Sequence, residues 1–157
     1  MSDTIHSDRA PKPVGAYPHA RRVGNLLFLS GIGSRVPGTD EIPGNVVDAA
    51  GIVVAHDIVK QTHQVLANIR TILEDAGSTW DQIVDVTVFL TDMKTDFPAF
   101  NHVYAEYFTT NQPARTTVEV GALPTPIAIE LKIIATAPSA ERRAPSAEPS
   151  HPMPNRP

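Results

Sequence analysis

Two side chains are placed where their surroundings could turn them to chemistry, Arg115 and Glu130. Arg115 lies in "QPARTTVEV", residues 112–120, two positions after Pro113 and at the start of a strand-like run. A proline fixes φ where the chain enters the strand, so the guanidinium is carried at a strand end and not on a free loop. Its planar fork of donors matches a carboxylate. An arginine at a strand end is equally an ordinary partner for a surface acid, and the residues leave both roles open. Glu130 lies in "IAIELKIIATA", residues 127–137, where its neighbours are mostly apolar. Burial there would raise a carboxyl pKa toward the range of a general acid or base. An ion pair with Lys132, on the same face of an extended strand, would instead make it structural. Tyr17 and Ser30 carry hydroxyls that suit either a substrate or a turn.

Other chemistries lose their support. The chain of 157 residues has no cysteine, which removes thiolate nucleophiles, disulfides and Cys-ligated metal centres. Of six histidines, His56 and His63 stand seven apart without a carboxylate to complete a ligand set, and His6, His102 and His151 have no companions. Neither a metal nor any other cofactor is expected. Nucleophile-elbow, P-loop and dinucleotide signatures are absent. A net charge of −4, with scattered Lys and Arg, argues against a nucleic-acid partner. The polar N-terminus has no leader-like apolar run, and no segment approaches the ~18 apolar residues of a membrane span. A cytoplasmic protein is the expectation.

The elements that must position these groups follow from the apolar period. "AYPHARRV" and "LLFLSG" flank Gly24-Asn25, a two-residue hairpin turn. "IGSRVPGTDEIPGN" reads as a loop, and "GIVV" as a short extra strand. From about 55 to 76, Ile58, Thr62, Val65, Leu66, Ile69, Leu73 and Ala76 share one helical face, with Gly77 at C′. In "IVDVTVFLT", Val84, Val86, Val88 and Leu90 alternate with polar positions and Phe89, which predicts a strand. A second helix is expected to start at Thr95 or Asp96 with Pro98 in its first turn, burying Phe97, Phe100, Val103, Tyr104, Tyr107 and Phe108. "TTVEV", the turn "GALPTP" and the final strand complete the order.

This order predicts an α+β two-layer sandwich, a mixed sheet with two helices on one face. On the last strand Ile127, Ile129, Leu131 and Ile133 form a core face. The other face, with Ala128, Glu130, Lys132 and Ile134, suits cover by another subunit. One domain is expected over 15–138, after an extended or partly disordered segment 1–14 and before a disordered tail 139–157, in whose neighbourhood six of the 15 prolines gather.

Taken together, "GAYPHARRVGNLLFLSG", "DVTVFLTDM", "FNHVYAEYF" and above all "PARTTVEV" followed by "PIAIELKIIA" resemble the RidA/YjgF family of imine and enamine deaminases, over about residues 11–137. The resemblance implies a chorismate-mutase-like sandwich assembled as a homotrimer, with sites between subunits. It maps the carboxylate-binding arginine to Arg115, the catalytic glutamate to Glu130, and substrate contacts to Tyr17, Ser30 and Gly31. Many relatives have a cysteine where this chain has Thr117, which puts thiol-dependent behaviour in doubt and leaves a hydroxyl in the pocket. "YPHARR" and the long "SGIGSRVPGTDEIPG" look like the 2-aminomuconate deaminase branch. That likeness implies hydrolysis of 2-aminomuconate to 2-oxo-hexenedioate and ammonia in bacterial aromatic degradation. A general 2-iminobutanoate or 2-iminopropanoate deaminase and a non-enzymatic trimeric small-molecule binding protein are the alternatives; endoribonuclease activity, also attached to the family, suits the acidic charge least. A dicarboxylate asks for a second cation, expected at Arg35 with Arg21, Arg22 and His19 behind it, although Arg35 could equally be a solvated loop residue.

Overall fold

The computed structural model describes residues 2–138, so the proline-rich stretch 139–157 lies outside the described residues. In chain order the elements are β1 (Ser2–Ile5), β2 (Ala20–Val23), β3 (Leu26–Leu29), β4 (Ile32–Gly33), β5 (Val46–Val47), β6 (Val53–Ala55), α1 (Ile58–Asp75), β7 (Ile83–Leu90), α2 (Met93–Tyr107), β8 (Ala114–Glu119) and β9 (Ile129–Thr136), with a 3-10 turn at Trp80–Gln82. The main sheet runs β1-β2-β3-β9-β7-β8, β4 continues beside β9, and β5 and β6 form a separate ribbon. Every pair in the main sheet is antiparallel except β7 with β8. That parallel pair needs a crossover, and α2 supplies it. Both helices pack on one face, as the period of the sequence predicts.

The N-terminal segment is more regular than expected. Ser2–Ile5 pairs with Ala20–Val23, covering what would otherwise be the open edge of the hairpin. Helix α1 begins at Ile58 because Asp57 caps it, its carboxylate accepting the Lys60 N–H at 3.1 Å, so His56 precedes the helix instead of lying on it. The helix ends at Gly77, whose φ of 73° is the left-handed conformation that only glycine adopts freely. Helix α2 starts earlier than expected. Its cap is Asp92, which accepts the Thr95 N–H at 3.0 Å, whereas Asp96 turns inward and is buried. Pro98 therefore falls past the first turn, with no N–H to give to the Lys94 carbonyl.

Side-chain direction in the sheet decides where the site can be. Ile129, Leu131 and Ile133 of β9 and Val86, Val88 and Leu90 of β7 are fully buried under the helices. A large-to-small change such as Leu131→Ala would cost ~2–5 kcal/mol there. Val84, expected on that face, is 44% exposed, because a bulge between Ile83 and Asp85 pushes it out of alternation. A second irregularity lies beside β9. Phe28 pairs with Ile134 and Ile32 with Leu131, so Leu29, Ser30 and Gly31 stand opposite only Lys132 and Ile133. Among the described residues no helix is long and apolar enough to cross a membrane.

Candidate functional site

Arg115 pairs with Val86, and paired residues point to the same side of a sheet, so its side chain leaves β8 on the helix side. At this edge it meets α2. Its Nη1–H donates to Asn101 Oδ1 at 2.9 Å, and its guanidinium carbon lies 4.7 Å from the centre of the Tyr104 ring, with Phe100 at 5.7 Å and Phe97 at 5.9 Å. Thr117, opposite Val88, points the same way. Its Oγ1 is buried without a hydrogen-bond partner among the described residues, as is the Tyr104 hydroxyl. Desolvation pushes the Tyr104 phenol up to about 12, against the smaller opposing pull of Arg115. Arg115 and Thr117 line an open cleft of about 550 Å³ together with Met93, Lys94, Phe97 and Pro98.

Glu130 is elsewhere. It pairs with Phe89 on one side and Gly33 on the other, and it alternates with the buried Ile129 and Leu131, so it points away from the helices. Its carboxyl is half-buried and makes no hydrogen bond or ion pair among the described residues, and burial raises its pKa above the ordinary glutamate value. The ion pair with Lys132 does not form, because the Lys132 ammonium donates to the Leu29 carbonyl at 2.9 Å. Instead the Glu130 carboxylate packs against Gly31, where any Cβ would stand 2.9 Å from its Cδ. The extra residue in Leu29–Gly31 thus lays a side-chain-free backbone against the carboxylate.

Gly31 also borders a small cavity of about 40 Å³, which Tyr17, Ser30 and Arg35 line as well. The Ser30 hydroxyl donates to Pro18 O at 2.7 Å, and the Tyr17 hydroxyl accepts the Val14 N–H at 3.2 Å, which leaves the Tyr17 O–H free to donate. Arg35 is tied down, donating to Lys12 O at 2.5 Å with Asp40 at 3.6 Å. The groups expected behind it do not add cations at this point. His19 is buried; its Nδ1 accepts the Ser7 N–H at 3.0 Å and its Nε2–H donates to Pro11 O at 2.9 Å, an arrangement that needs the neutral ring. Arg22 donates to Pro138 O and Ala76 O at the far end of the hairpin, and Arg21 lies opposite Phe28 on the outer face.

The residues singled out in the sequence are therefore separated in the fold. Arg115 and Thr117 stand on the helix side of the edge strand, Glu130 packs against Gly31 at the β3–β4 bulge, and Gly31 in turn lines with Tyr17, Ser30 and Arg35 a small cavity that Glu130 does not line. β8 and β9 are two strand spacings apart, ~10 Å, and the Arg115 and Glu130 side chains leave opposite faces. One small carboxylate cannot touch both in a single chain. Sequence reasoning read Tyr104 as core only and passed over Asn101 and Lys94; the 97/100/101/104 spacing on α2 was the available signal. It also missed the His56–Asp96 pair, 2.7 Å apart across 40 positions, for which the sequence carries no signal. Among the described residues no three His, Asp or Glu side chains gather as a metal-ligating set.

Comparison with known proteins adds to this geometry. The family model described as Endoribonuclease L-PSP matches residues 7–137. The chain is similar to a RutC family protein of Pyrococcus horikoshii, 44% identical over 135 residues, which cover 86% of this chain and 98% of the relative. It is 36% identical over 134 residues to the chloroplastic Reactive Intermediate Deaminase A of Arabidopsis thaliana, covering 85% of this chain and 65% of that protein. Among solved structures, that of E. coli TdcF with bound serine is similar with a TM-score of 0.73 and 31% identity, over 85% of this chain and 98% of that one.

Proposed function

The chain belongs to the RidA/YjgF family, and from that premise we propose that it is a hydrolytic deaminase of imine and enamine carboxylates, working as a homotrimer with its sites between subunits. The observation that carries this reading is the pairing of an unpaired, half-buried Glu130 carboxyl with an Arg115 cleft that opens on the opposite face of the sheet. A site using both draws Arg115 from one copy and Glu130 from the next. Arg115 holds the carboxylate beside the C–N carbon, and the Thr117 hydroxyl lies in the same cleft. Glu130, with its raised pKa, handles protons: it helps protonate the enamine carbon to give the imine and positions the water that adds to the C=N carbon. The Gly31 backbone borders the substrate beside Glu130, and the cavity that Gly31 shares with Tyr17 and Ser30 extends the site from there. Collapse of the carbinolamine releases ammonia and leaves a 2-oxo acid; water supplies the oxygen, and nothing is oxidised or reduced. A relative named Reactive Intermediate Deaminase A and another holding serine, an amino carboxylate, support this substrate class.

The finer reading is 2-aminomuconate, in bacterial aromatic degradation. It gains support from Lys94, which lines the Arg115 cleft as a second cation, a place the sequence suggested for Arg35. Arg35 instead borders the other half of the site. The deciding measurement is ammonia release from small 2-imino acids, generated in situ from amino acids, against release from 2-aminomuconate. A preference for the dicarboxylate that Lys94→Ala removes supports the finer reading. Equal rates on both substrate types leave the general deaminase, and no ammonia from any of them would favour a binding protein. RNA cleavage draws no support from a chain of net charge −4.

A further inference from the structure

We infer that Asn101 and Tyr104 are positioning residues for Arg115: together they hold the guanidinium in its binding orientation before a carboxylate arrives. The inference rests on the reading of Arg115 as the carboxylate anchor. An arginine on an edge strand has four rotatable bonds and would otherwise have to be ordered by its ligand. Two residues of α2, one helical turn apart and therefore on one face, remove that freedom here. Asn101 fixes the rotation of the fork. A guanidinium has donors only, so the amide atom facing Nη1 at 2.9 Å must be the oxygen. Tyr104 fixes the plane, since the cation lies 4.7 Å from its ring centre, within the range of cation–π attraction. The ring is itself immobilised, stacked on Phe108 at 4.3 Å and tilted against Phe100 at 5.7 Å.

The contribution of Tyr104 is its face and not its hydroxyl. That oxygen is buried and makes no hydrogen bond among the described residues, and burial keeps the phenol neutral. One donor of the fork is used on Asn101, and the others remain for a ligand.

The test uses the full chain and two readouts. In arginine-selective NMR spectra, assigned by the signal lost in Arg115→Lys, wild type and Asn101→Asp are expected to show separate Nη1 and Nη2 signals for Arg115, because rotation about Cζ–Nε is hindered. Asn101→Ala is expected to merge them. Equal averaging in all three overturns the inference, whatever the enzyme's activity. In steady-state ammonia release, Asn101→Ala and Tyr104→Leu are expected to raise KM ~10-fold with kcat changed no more than ~2-fold, while Asn101→Asp and Tyr104→Phe stay near wild type. Loss of kcat and Tm together with an unchanged KM would reduce both residues to structural ones. If wild type releases no ammonia from any 2-imino acid, the functional reading fails, and the NMR arm still decides the positioning.

Discussion

Under the proposed function, Arg115 and Glu130 divide the work by their surroundings. Arg115 is anchored by Asn101 and an aromatic face, so a ligand meets a cation already in place. Arg115→Ala should raise KM and lower kcat together, measured as ammonia release, because losing the anchor weakens substrate binding and also leaves the C–N carbon misaligned in the transition state. Glu130→Gln should leave KM nearly unchanged and lower kcat by ~10²–10⁴, the usual worth of general acid–base help. The raised Glu130 pKa also sets a direction for pH effects. The native state holds this proton more tightly than the unfolded chain, so stability falls as pH climbs from the ordinary glutamate pKa through the raised one. Glu130→Gln should therefore raise Tm above that window and give no gain below it, which thermal melts across pH will check. The two residues were legible in the sequence by type, since an arginine after a strand-entry proline and a glutamate among isoleucines are local facts. The Asn101 contact was not, because it joins two elements.

At the scale of elements, α2 carries the supports of Arg115, and its start is set by Asp92. Hydrogen bonds from Thr95, backbone first and then side chain, hold the Asp92 carboxyl below its ordinary pKa. A depressed carboxyl contributes stability that is present above the unfolded pKa and is lost as pH falls through the folded one. Asp92→Ala should thus lower Tm at neutral pH and converge on wild type in acid. A constant difference at every pH would show that the cap works through its shape alone. The helices and long strands were readable from their 3.6 and 2.0 periods, but the cap was placed three or four residues late. Asp92, Thr95 and Asp96 are all good capping residues, and only the burial of Asp96 against His56 separates them. The bulges at Val84 and at Leu29–Gly31 escaped for a related reason: each depends on the partner strand's register, which no single segment encodes.

For the whole molecule, the arrangement on opposite faces makes assembly part of the proposed chemistry. Arg115→Ala and Glu130→Gln chains, each inactive alone, should regain activity when refolded together, because some sites then take an intact arginine from one copy and an intact glutamate from its neighbour. Random mixing in a closed ring would restore about a quarter of wild-type activity. Recovery of none would place both residues in one chain's site. Local pattern was sufficient to read the α+β class, the two helices on one face and the alternation that buries Ile129, Leu131 and Ile133, because propensity and period act over neighbouring residues; it singled out Arg115 and Glu130 as candidates, and their proposed roles came with the family resemblance. Which face each reactive group leaves, that Arg35 and His19 are held by backbone partners, and that α2 brackets Arg115 arise from strand order, register and long-range contact. These depend on how segments far apart in the chain pack together.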